Sequence, residues 1–245
     1  MSAGIKDIGI ITTPNDQEAF KKLLGDGSSF GIQITYLVQP KPEGLAQAFI
    51  IGEDFIGESS VCLILGDNIF HGADLDASLK RDFTSSKARI FAYEVDNPQE
   101  YGVVEFDADG LAISIVEKPK EPKSKFAVPG IYFYQNSVIE IAKSIKPSHR
   151  NELEITEVNN HYLRLGELEV VTLARGTAWL DTGTVDSLFA ASNYIKVIED
   201  RQGRKIGCPE EIAYVNQWIS REQLSRYVLT RTGNPYMKYL EILIK

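Results

Sequence analysis

The first 65 residues alternate short apolar runs with amphipathic stretches, and this alternation limits the fold more than any other feature of the chain. Ile8 to Thr12 reads as a strand. The polar segment Thr13-Pro14-Asn15-Asp16 then precedes a helix carrying Phe20, Leu23 and Leu24, which Gly25-Asp26-Gly27 ends. Ile32 to Val38 is a second strand. After the loop Gln39-Pro40-Lys41-Pro42-Glu43-Gly44 comes a helix from Leu45 to about Ile56, with Ala46, Phe49, Ile50 and Phe55 on one face. Val61 to Leu65 is continuously apolar, the pattern of a strand buried on both faces. Strand, helix, strand in this rhythm predicts a mainly parallel α/β sheet.

From Ala88 onward the rhythm changes to strands with little helix between them: Ile90 to Val95, Val103 to Phe106, Ile113 to Glu117 and Val128 to Tyr134. Asp107-Ala108-Asp109-Gly110 is a hairpin turn signal. Helices return at Ser137 to Ile145 and Ile155 to Leu165, the second preceded by a capping box with Asn151 as cap and Glu154 at its third position. Strands follow at Leu168 to Leu173 and Ala178 to Leu180. Thr184 then caps a long helix from Val185 to about Asp200. Beyond Gly203 the tail is helical, with Pro209 starting one helix, Ser220 capping another and Tyr236 to Ile244 forming a third. The organisation expected is an α/β domain over 1–203 with inserted β-strands, and a helical appendix over 204–245.

Composition narrows the function. With 43% hydrophobic and 24% charged residues in 245, the chain builds an ordinary globular core and is not a disordered or repeat-biased sequence. Twenty-six Lys and Arg against 34 Asp and Glu leave a net charge of −8, the wrong sign for wrapping a phosphate backbone, so nucleic acid is not an expected partner. No apolar run approaches the ~20 residues that span a bilayer, and no basic, then apolar leader follows Met1. Cys62 and Cys208 lie far apart with no C-x-x-C spacing and read as reduced thiols. A cytoplasmic, membrane-free protein is expected.

Ligands of open α/β sheets bind beyond the carboxyl ends of strands, so the residues just after each strand are the candidates for chemistry. Asp67 follows the apolar run Val61 to Leu65, and Asp181 follows the strand Ala178 to Leu180. Each is open to an ordinary reading as a turn or cap residue. As a pair they suit Mg²⁺, which takes one or two carboxylates together with substrate phosphates. Gly44 opens a helix whose free N–H groups suit an anion or a base edge. Tyr101, Glu117 and Lys118 at the edges of the inserted strands, with Tyr132 and Arg150, supply the aromatic wall, carboxylate and cations that a sugar phosphate needs. His71, His149 and His161 lack zinc-ligand spacing, and neither G-x-S-x-G, a P-loop nor G-x-G-x-x-G is present.

These stretches together resemble the bacterial glucose-1-phosphate thymidylyltransferases, which have a Rossmann-like nucleotidyltransferase fold. The similarity is carried by Leu24-Gly25-Asp26-Gly27-Ser28, Val38-Gln39-Pro40, Gly44-Leu45-Ala46-Gln47-Ala48-Phe49, Leu65-Gly66-Asp67-Asn68-Ile69-Phe70, Tyr101-Gly102-Val103-Val104-Glu105-Phe106, Glu117-Lys118-Pro119, Gly130-Ile131-Tyr132-Phe133-Tyr134, Glu152-Leu153-Glu154-Ile155-Thr156, Trp179-Leu180-Asp181-Thr182-Gly183-Thr184 and Cys208-Pro209-Glu210-Glu211-Ile212-Ala213. The resemblance implies a mixed-sheet α/β enzyme transferring a thymidylyl group from dTTP to glucose 1-phosphate, with Mg²⁺ as cofactor and a homotetramer as assembly. It places Gln39 and Gly44 on the thymine, and Asp67 and Asp181 on Mg²⁺. It places Tyr101, Gly102, Glu117 and Tyr132 on the sugar, and Lys118 and Arg150 on its phosphate.

The resemblance also implies a departure. The family opens with a strand and the loop L-A-G-G-x-G-T-R-L-x-P-x-T, and this sequence has neither; Ala3-Gly4-Ile5-Lys6-Asp7-Ile8 matches a segment some forty residues into that pattern. The expectation is a sheet with unpaired neighbours where that strand would lie, and an enzyme of low activity. The alternative role is a non-catalytic sugar-phosphate-binding or assembly subunit.

Overall fold

The computed structural model describes residues 1–73, 75–80, 87–231 and 233–245, with residues 76 and 80 described by their backbone alone. Contacts divide the chain into two units. One comprises Met1–Val38, Asp76–Lys80 and Gly183–Lys245; the other comprises Gln39–Leu75 and the described part of Arg81–Thr182.

In the first unit, β1 (Asp7–Thr12) and β2 (Gln33–Val38) pair in parallel, from Asp7 opposite Gln33 to Thr12 opposite Val38. Between them runs α1 (Gln17–Leu24), which ends at Gly25 with φ +63°. The Tyr36 hydroxyl donates to the Gly25 carbonyl at 2.6 Å and so fastens the helix end to β2.

The second unit holds the larger sheet. The helix expected from Leu45 to Ile56 forms as two pieces, α2 (Gln47–Ile51) and α3 (Glu53–Ile56), with the break at Gly52. Then follow β3 (Val61–Ile64), β4 (Asn68–His71), β5 (Ala88–Glu94), β6 (Gly102–Phe106), β7 (Ala112–Glu117), β8 (Phe126–Ala127) and β9 (Ile131–Tyr134); α4 (Leu75–Lys80), between β4 and β5 in the chain, belongs to the first unit from Asp76 on. The run Val128 to Tyr134 is not one strand, because Pro129-Gly130 separates β8 from β9, as a residue without a ladder N–H does. The unit continues with α5 (Val138–Ser144), α6 (Ile155–Arg164), β10 (Leu168–Thr172) and β11 (Ala178–Asp181). The sheet order is β3-β9-β5-β8-β6-β7, with β10 beside β5, while β4 and β11 form a separate antiparallel ribbon.

The mixed α/β class holds, but the sheet is less parallel than its first strands suggest. Among the strands of the described residues, parallel pairing occurs only between β1 and β2 and between β5 and β10; β3 pairs antiparallel with β9. Among the described residues β3 has no second neighbour, which is why the run read as buried on both faces is half-exposed, with Ile64 at 55%. At the β5–β10 pair, the buried Arg89 donates from Nε to Glu169 directly opposite at 2.7 Å, a cross-strand pair that fixes register. The core beneath this sheet joins Phe49, Ile90, Val104, Tyr134, Val138, Val158 and Tyr162.

The cap expected at α6 takes another form. Asn151 sits at φ +65°, and Glu154 itself occupies the cap position, accepting at Oε1 from the Ser148 hydroxyl at 2.8 Å. Asn tolerates the left-handed region better than other non-glycine residues, so the backbone turns there before the helix begins. The other expected caps are present. Thr184 and Ser187 form a capping box on α7 (Val185–Gln202) in the first unit, and Pro209 opens α8 (Pro209–Val215). Ser220 and Gln223 cap α9 (Arg221–Leu229), and α10 (Pro235–Leu243) follows. The last three helices enclose Leu224, Val228, Met237 and Leu240 together with Phe30.

Burial holds the phenols of Tyr132 and Tyr134 in β9, of Tyr162 on α6, and of Tyr227, Tyr236 and Tyr239 in the C-terminal helices, above their ordinary range; Tyr227 and Tyr239 are pushed up to about 12. A raised phenol pKa means the folded state prefers the neutral form. The stabilisation is therefore complete below about pH 10 and is lost as pH climbs through the folded values. In an alkaline titration, phenolate absorbance from these six tyrosines is expected to appear together with loss of the folded circular dichroism, not ahead of it.

Candidate active site

The β4–β11 ribbon brings the two candidate aspartates to one end. Asn68 and Asp181 are register partners, and Thr182 donates to the Asp67 carbonyl from both its N–H and its hydroxyl, each at 2.8 Å. Asn68, to which the sequence reading assigns no role, is the joint. Its Oδ1 accepts from the Gly130 N–H at 3.0 Å and from the Trp179 indole at 2.7 Å, and its Nδ2 donates to Asp67 Oδ1 at 2.8 Å. Two donors fix which side of the amide is oxygen, so its NH₂ must face the aspartate. Gly130 leaves the room: a Cβ there would lie 2.6 Å from Leu65 Cγ and 2.7 Å from Asn68 Oδ1.

A second cluster forms where β6 meets β7. Gly102 is the register partner of Glu117, and the Lys118 N–H donates to the Tyr101 carbonyl at 3.0 Å. Glu117 Oε2 accepts from the Thr156 hydroxyl of α6 at 2.5 Å. A Cβ at Gly102 would stand 3.2 Å from that hydroxyl and 3.3 Å from that carboxylate, so glycine keeps this corner open. Lys118 itself holds φ +41° immediately before Pro119, a conformation that proline disfavours in its predecessor. Strain of this kind costs about 1–3 kcal/mol and marks positions held for a purpose.

Tyr132 and Tyr101 connect the clusters. Tyr132 is buried in β9, its ring stacked on Tyr134, and its phenol is raised by burial and then by the charges of Glu117 and Asp67. Its ring belongs to the core, so only the hydroxyl end concerns the two acids. Tyr101 packs on Trp179 with ring centroids 4.9 Å apart, and burial followed by the charges of Asp181 and Glu100 raises its phenol. Arg150 is less available than its expected role suggests: Glu152 lies 3.0 Å away, Glu154 3.7 Å and Glu117 3.9 Å.

The third expected element is the loop before α2. The Leu153 N–H donates to the Glu43 carbonyl at 2.7 Å, and the Ala46 N–H donates to the Leu153 carbonyl at 3.0 Å. Gly44 lies between them at φ +103°, where a Cβ would come within 2.5 Å of Leu153 backbone atoms. Gln39 donates from Nε2 to Gln47 Oε1 at 2.6 Å, and Gln47 donates from Nε2 to Glu43 at 2.7 Å. All ten expected site residues thus lie in the second unit. Asn68 and Thr156, which orient two of them, are additions. Both stand inside the motifs Leu65 to Phe70 and Glu152 to Thr156, and membership in those motifs was the only sequence signal for them.

The second unit thus carries the strand-end carboxylates Asp67 and Asp181 and the glycine turn at Gly44 on a mixed α/β framework. Residues 1–197 match the nucleotidyl transferase family, and the chain belongs to that family. A glucose-1-phosphate thymidylyltransferase of Mycolicibacterium smegmatis is 58% identical over 238 residues, covering 97% of this chain and 83% of the relative. Its namesake from Mycobacterium tuberculosis is 54% identical over 245 residues, covering 100% and 85%. A Bacillus anthracis protein assigned as a glucose-1-phosphate thymidylyltransferase and solved in complex with a sucrose superposes with a TM-score of 0.70 at 40% identity, covering 77% of this chain and 76% of its own. A UDP-glucose pyrophosphorylase complexed with UDP-glucose shares the fold, with a TM-score of 0.62 at 24% identity over 79% of this chain and 82% of its own.

Gly130→Ala is expected to overpack the Leu65–Asn68 corner and cost about 1–3 kcal/mol of unfolding free energy, read as a lower urea midpoint. The change Gly110→Ala meets no atom within 4 Å but sits at φ +79°. Its penalty is therefore backbone strain alone, about 1 kcal/mol, and the two midpoints should separate the two causes.

Proposed function

We propose that the chain transfers a thymidylyl group from dTTP to glucose 1-phosphate, releasing pyrophosphate and forming dTDP-glucose. The observation that carries this reading is the convergence, in one unit, of the Asp67–Asp181 strand ends, the Gly102–Glu117–Thr156 corner and the Gln39–Gly44 loop. Each matches one part of such a reaction, and the chain's relatives at 50% identity and above carry that name.

A phosphate oxygen of glucose 1-phosphate attacks the α-phosphorus of dTTP. The new P–O bond forms as the bond to the β-phosphate oxygen breaks, and pyrophosphate leaves with that electron pair. No enzyme group bonds to phosphorus, so this chain's task is positioning and charge neutralisation. Glu117, oriented by Thr156, accepts from sugar hydroxyls in the space that Gly102 leaves, and Tyr101 forms the aromatic wall. Tyr132 presents only its hydroxyl. Lys118, exposed and aimed by its strained backbone, meets the sugar phosphate, and Arg150 joins it by exchanging carboxylate partners for phosphate. Gln39 and the Gly44 turn meet the thymine.

Asp67 and Asp181 would hold Mg²⁺. The donor set is of the right chemistry: two carboxylates stand at adjacent register positions, Asp181 opposite Asn68 and Asp67 one residue before it. Mg²⁺ keeps few protein ligands and shares substrate phosphates in this way. When bound it supplies neutralisation of phosphate charge.

Slow turnover by these 245 residues is part of the reading, since Lys118 is the one expected phosphate cation without a carboxylate partner among the described residues. A homo-oligomer, a tetramer as the resemblance implies, is also part of it. On the 18-residue α7 only Ala191 is buried, while Val185, Leu188, Phe189 and Val197 are exposed.

Pyrophosphate release from dTTP is expected to require both glucose 1-phosphate and Mg²⁺ and to stop on chelation. Asp67→Asn or Asp181→Asn should lower it by roughly 100-fold or more, as loss of several kcal/mol of charge stabilisation implies. Saturable glucose 1-phosphate binding with no release under any of these conditions would favour the non-catalytic subunit instead. Thr156→Val is expected to raise the KM for glucose 1-phosphate about tenfold, the worth of one hydrogen bond to a charged acceptor, with Thr156→Ser close to the parent.

A further inference from the structure

We propose that Glu43 sets the base specificity of this site from outside it, by fixing through Gln47 which way round the Gln39 amide lies. The inference rests on the reading that Gln39 meets the pyrimidine. Gln39, Gln47 and Glu43 form a chain of two short hydrogen bonds, 2.6 and 2.7 Å long. A carboxylate only accepts hydrogen bonds. Gln47 must therefore turn its nitrogen toward Glu43, which leaves its oxygen toward Gln39. Gln39 must in turn offer its nitrogen to Gln47.

One end of the relay thus decides the other, and the order of oxygen and nitrogen at Gln39 is dictated by charge two residues away in the chain of contacts. Among the described residues, Gln39 Oε1 and the second Nε2 hydrogen have no partner, so this acceptor and donor remain for a ligand. The anchor does not drift, because the Glu43 carbonyl is bound to the Leu153 N–H and Gln47 is the first residue of α2.

The consequence concerns pyrimidines with oxygen or an amino group at position 4. A thymine or uracil edge offers a donor at N3 and an acceptor at O4; a cytosine edge offers the reverse order. A free amide matches either edge by turning over. A fixed amide matches only one, and the other meets donor against donor and acceptor against acceptor. Rejection then comes from groups left unpaired, the arrangement that discriminates best. Glu43 is a positioning residue here, since it need not touch the base.

The test is calorimetric binding of dTTP, dUTP and dCTP to the full chain with Mg²⁺. The parent is expected to bind dTTP and dUTP alike and dCTP at least about 30-fold more weakly, in line with one bidentate base contact. In Glu43→Gln the anchor offers either an oxygen or a nitrogen, so the relay runs in both directions. The preference for dTTP over dCTP should shrink to within about threefold while glucose 1-phosphate binding stays at its parent value. Glu43→Asp keeps a carboxylate and should restore most of the preference. Gln47→Leu cuts the relay at its middle and should lose the preference as Glu43→Gln does, a second route if either variant folds poorly. An unchanged preference in folded Glu43→Gln or Gln47→Leu overturns the relay while leaving the proposed reaction intact. A parent chain that binds dTTP no better than dCTP overturns the placement of Gln39 on the pyrimidine, and the relay with it.

Discussion

The second unit depends on one side-chain amide. Asn68 accepts hydrogen bonds from Gly130 and Trp179, residues 62 and 111 positions away in the chain, and donates to the neighbouring Asp67. These bonds tie the β4–β11 ribbon to the turn that leads into β9, and so to the larger sheet. The aspartate end of the site follows from that joint. Asp67 is presented because Asn68 holds it, and Tyr132 two residues past Gly130 is set beside both Asp67 and Glu117. An amide suits this task better than a carboxylate, because it satisfies donors on one side and donates to the Asp67 carboxylate on the other without adding a second charge beside it.

Charge is the second constraint. A chain of net −8 that handles phosphates must gather its cations locally, and the structure shows how few it gathers. Arg150 lies among Glu117, Glu152 and Glu154, which hold the guanidinium in position and neutralise it. Lys118 is aimed instead by its backbone, at φ +41° before a proline. The stiffness of the corner comes from neutral parts: glycines at 102 and 130, where a side chain has no room, and the Thr156 hydroxyl on Glu117. Positional accuracy there is built from packing and single hydrogen bonds, which keep their strength as salt changes, whereas exposed ion pairs are screened.

Much of this was legible in the residues. The strands β1, β2, β3 and β10, the hairpin at Asp107 to Gly110, and the caps Thr184, Pro209 and Ser220 are local features with local causes, and each stands where its chemistry predicts, whereas β4 was not anticipated and the run Val128 to Tyr134 is broken at Pro129-Gly130. What periodicity does not carry is strand partnership. The apolar run Val61 to Ile64 looks the same whether it has one neighbour or two, so its exposed Ile64 had no signature. The parallel sheet inferred from its rhythm proved to be an antiparallel pairing with β9, set by a segment some seventy residues later. The candidate residues could be picked out because charged and aromatic groups at strand ends announce themselves. Asn68 and Thr156 were not, since an uncharged polar side chain reveals its role only when its partners from distant segments are in place.

Asn68 is the joint that holds Asp67, the β4–β11 ribbon and the turn into β9 together. Hydrogen exchange of the Gly130 amide and the Trp179 indole, resolved by nuclear magnetic resonance, tests it most directly. The prediction is that both are slow in the parent chain and that Asn68→Ala speeds both together, while amides of the Leu224 to Leu240 helical core keep their rates. A Gly130 amide that stays as protected in Asn68→Ala as in the parent would contradict it.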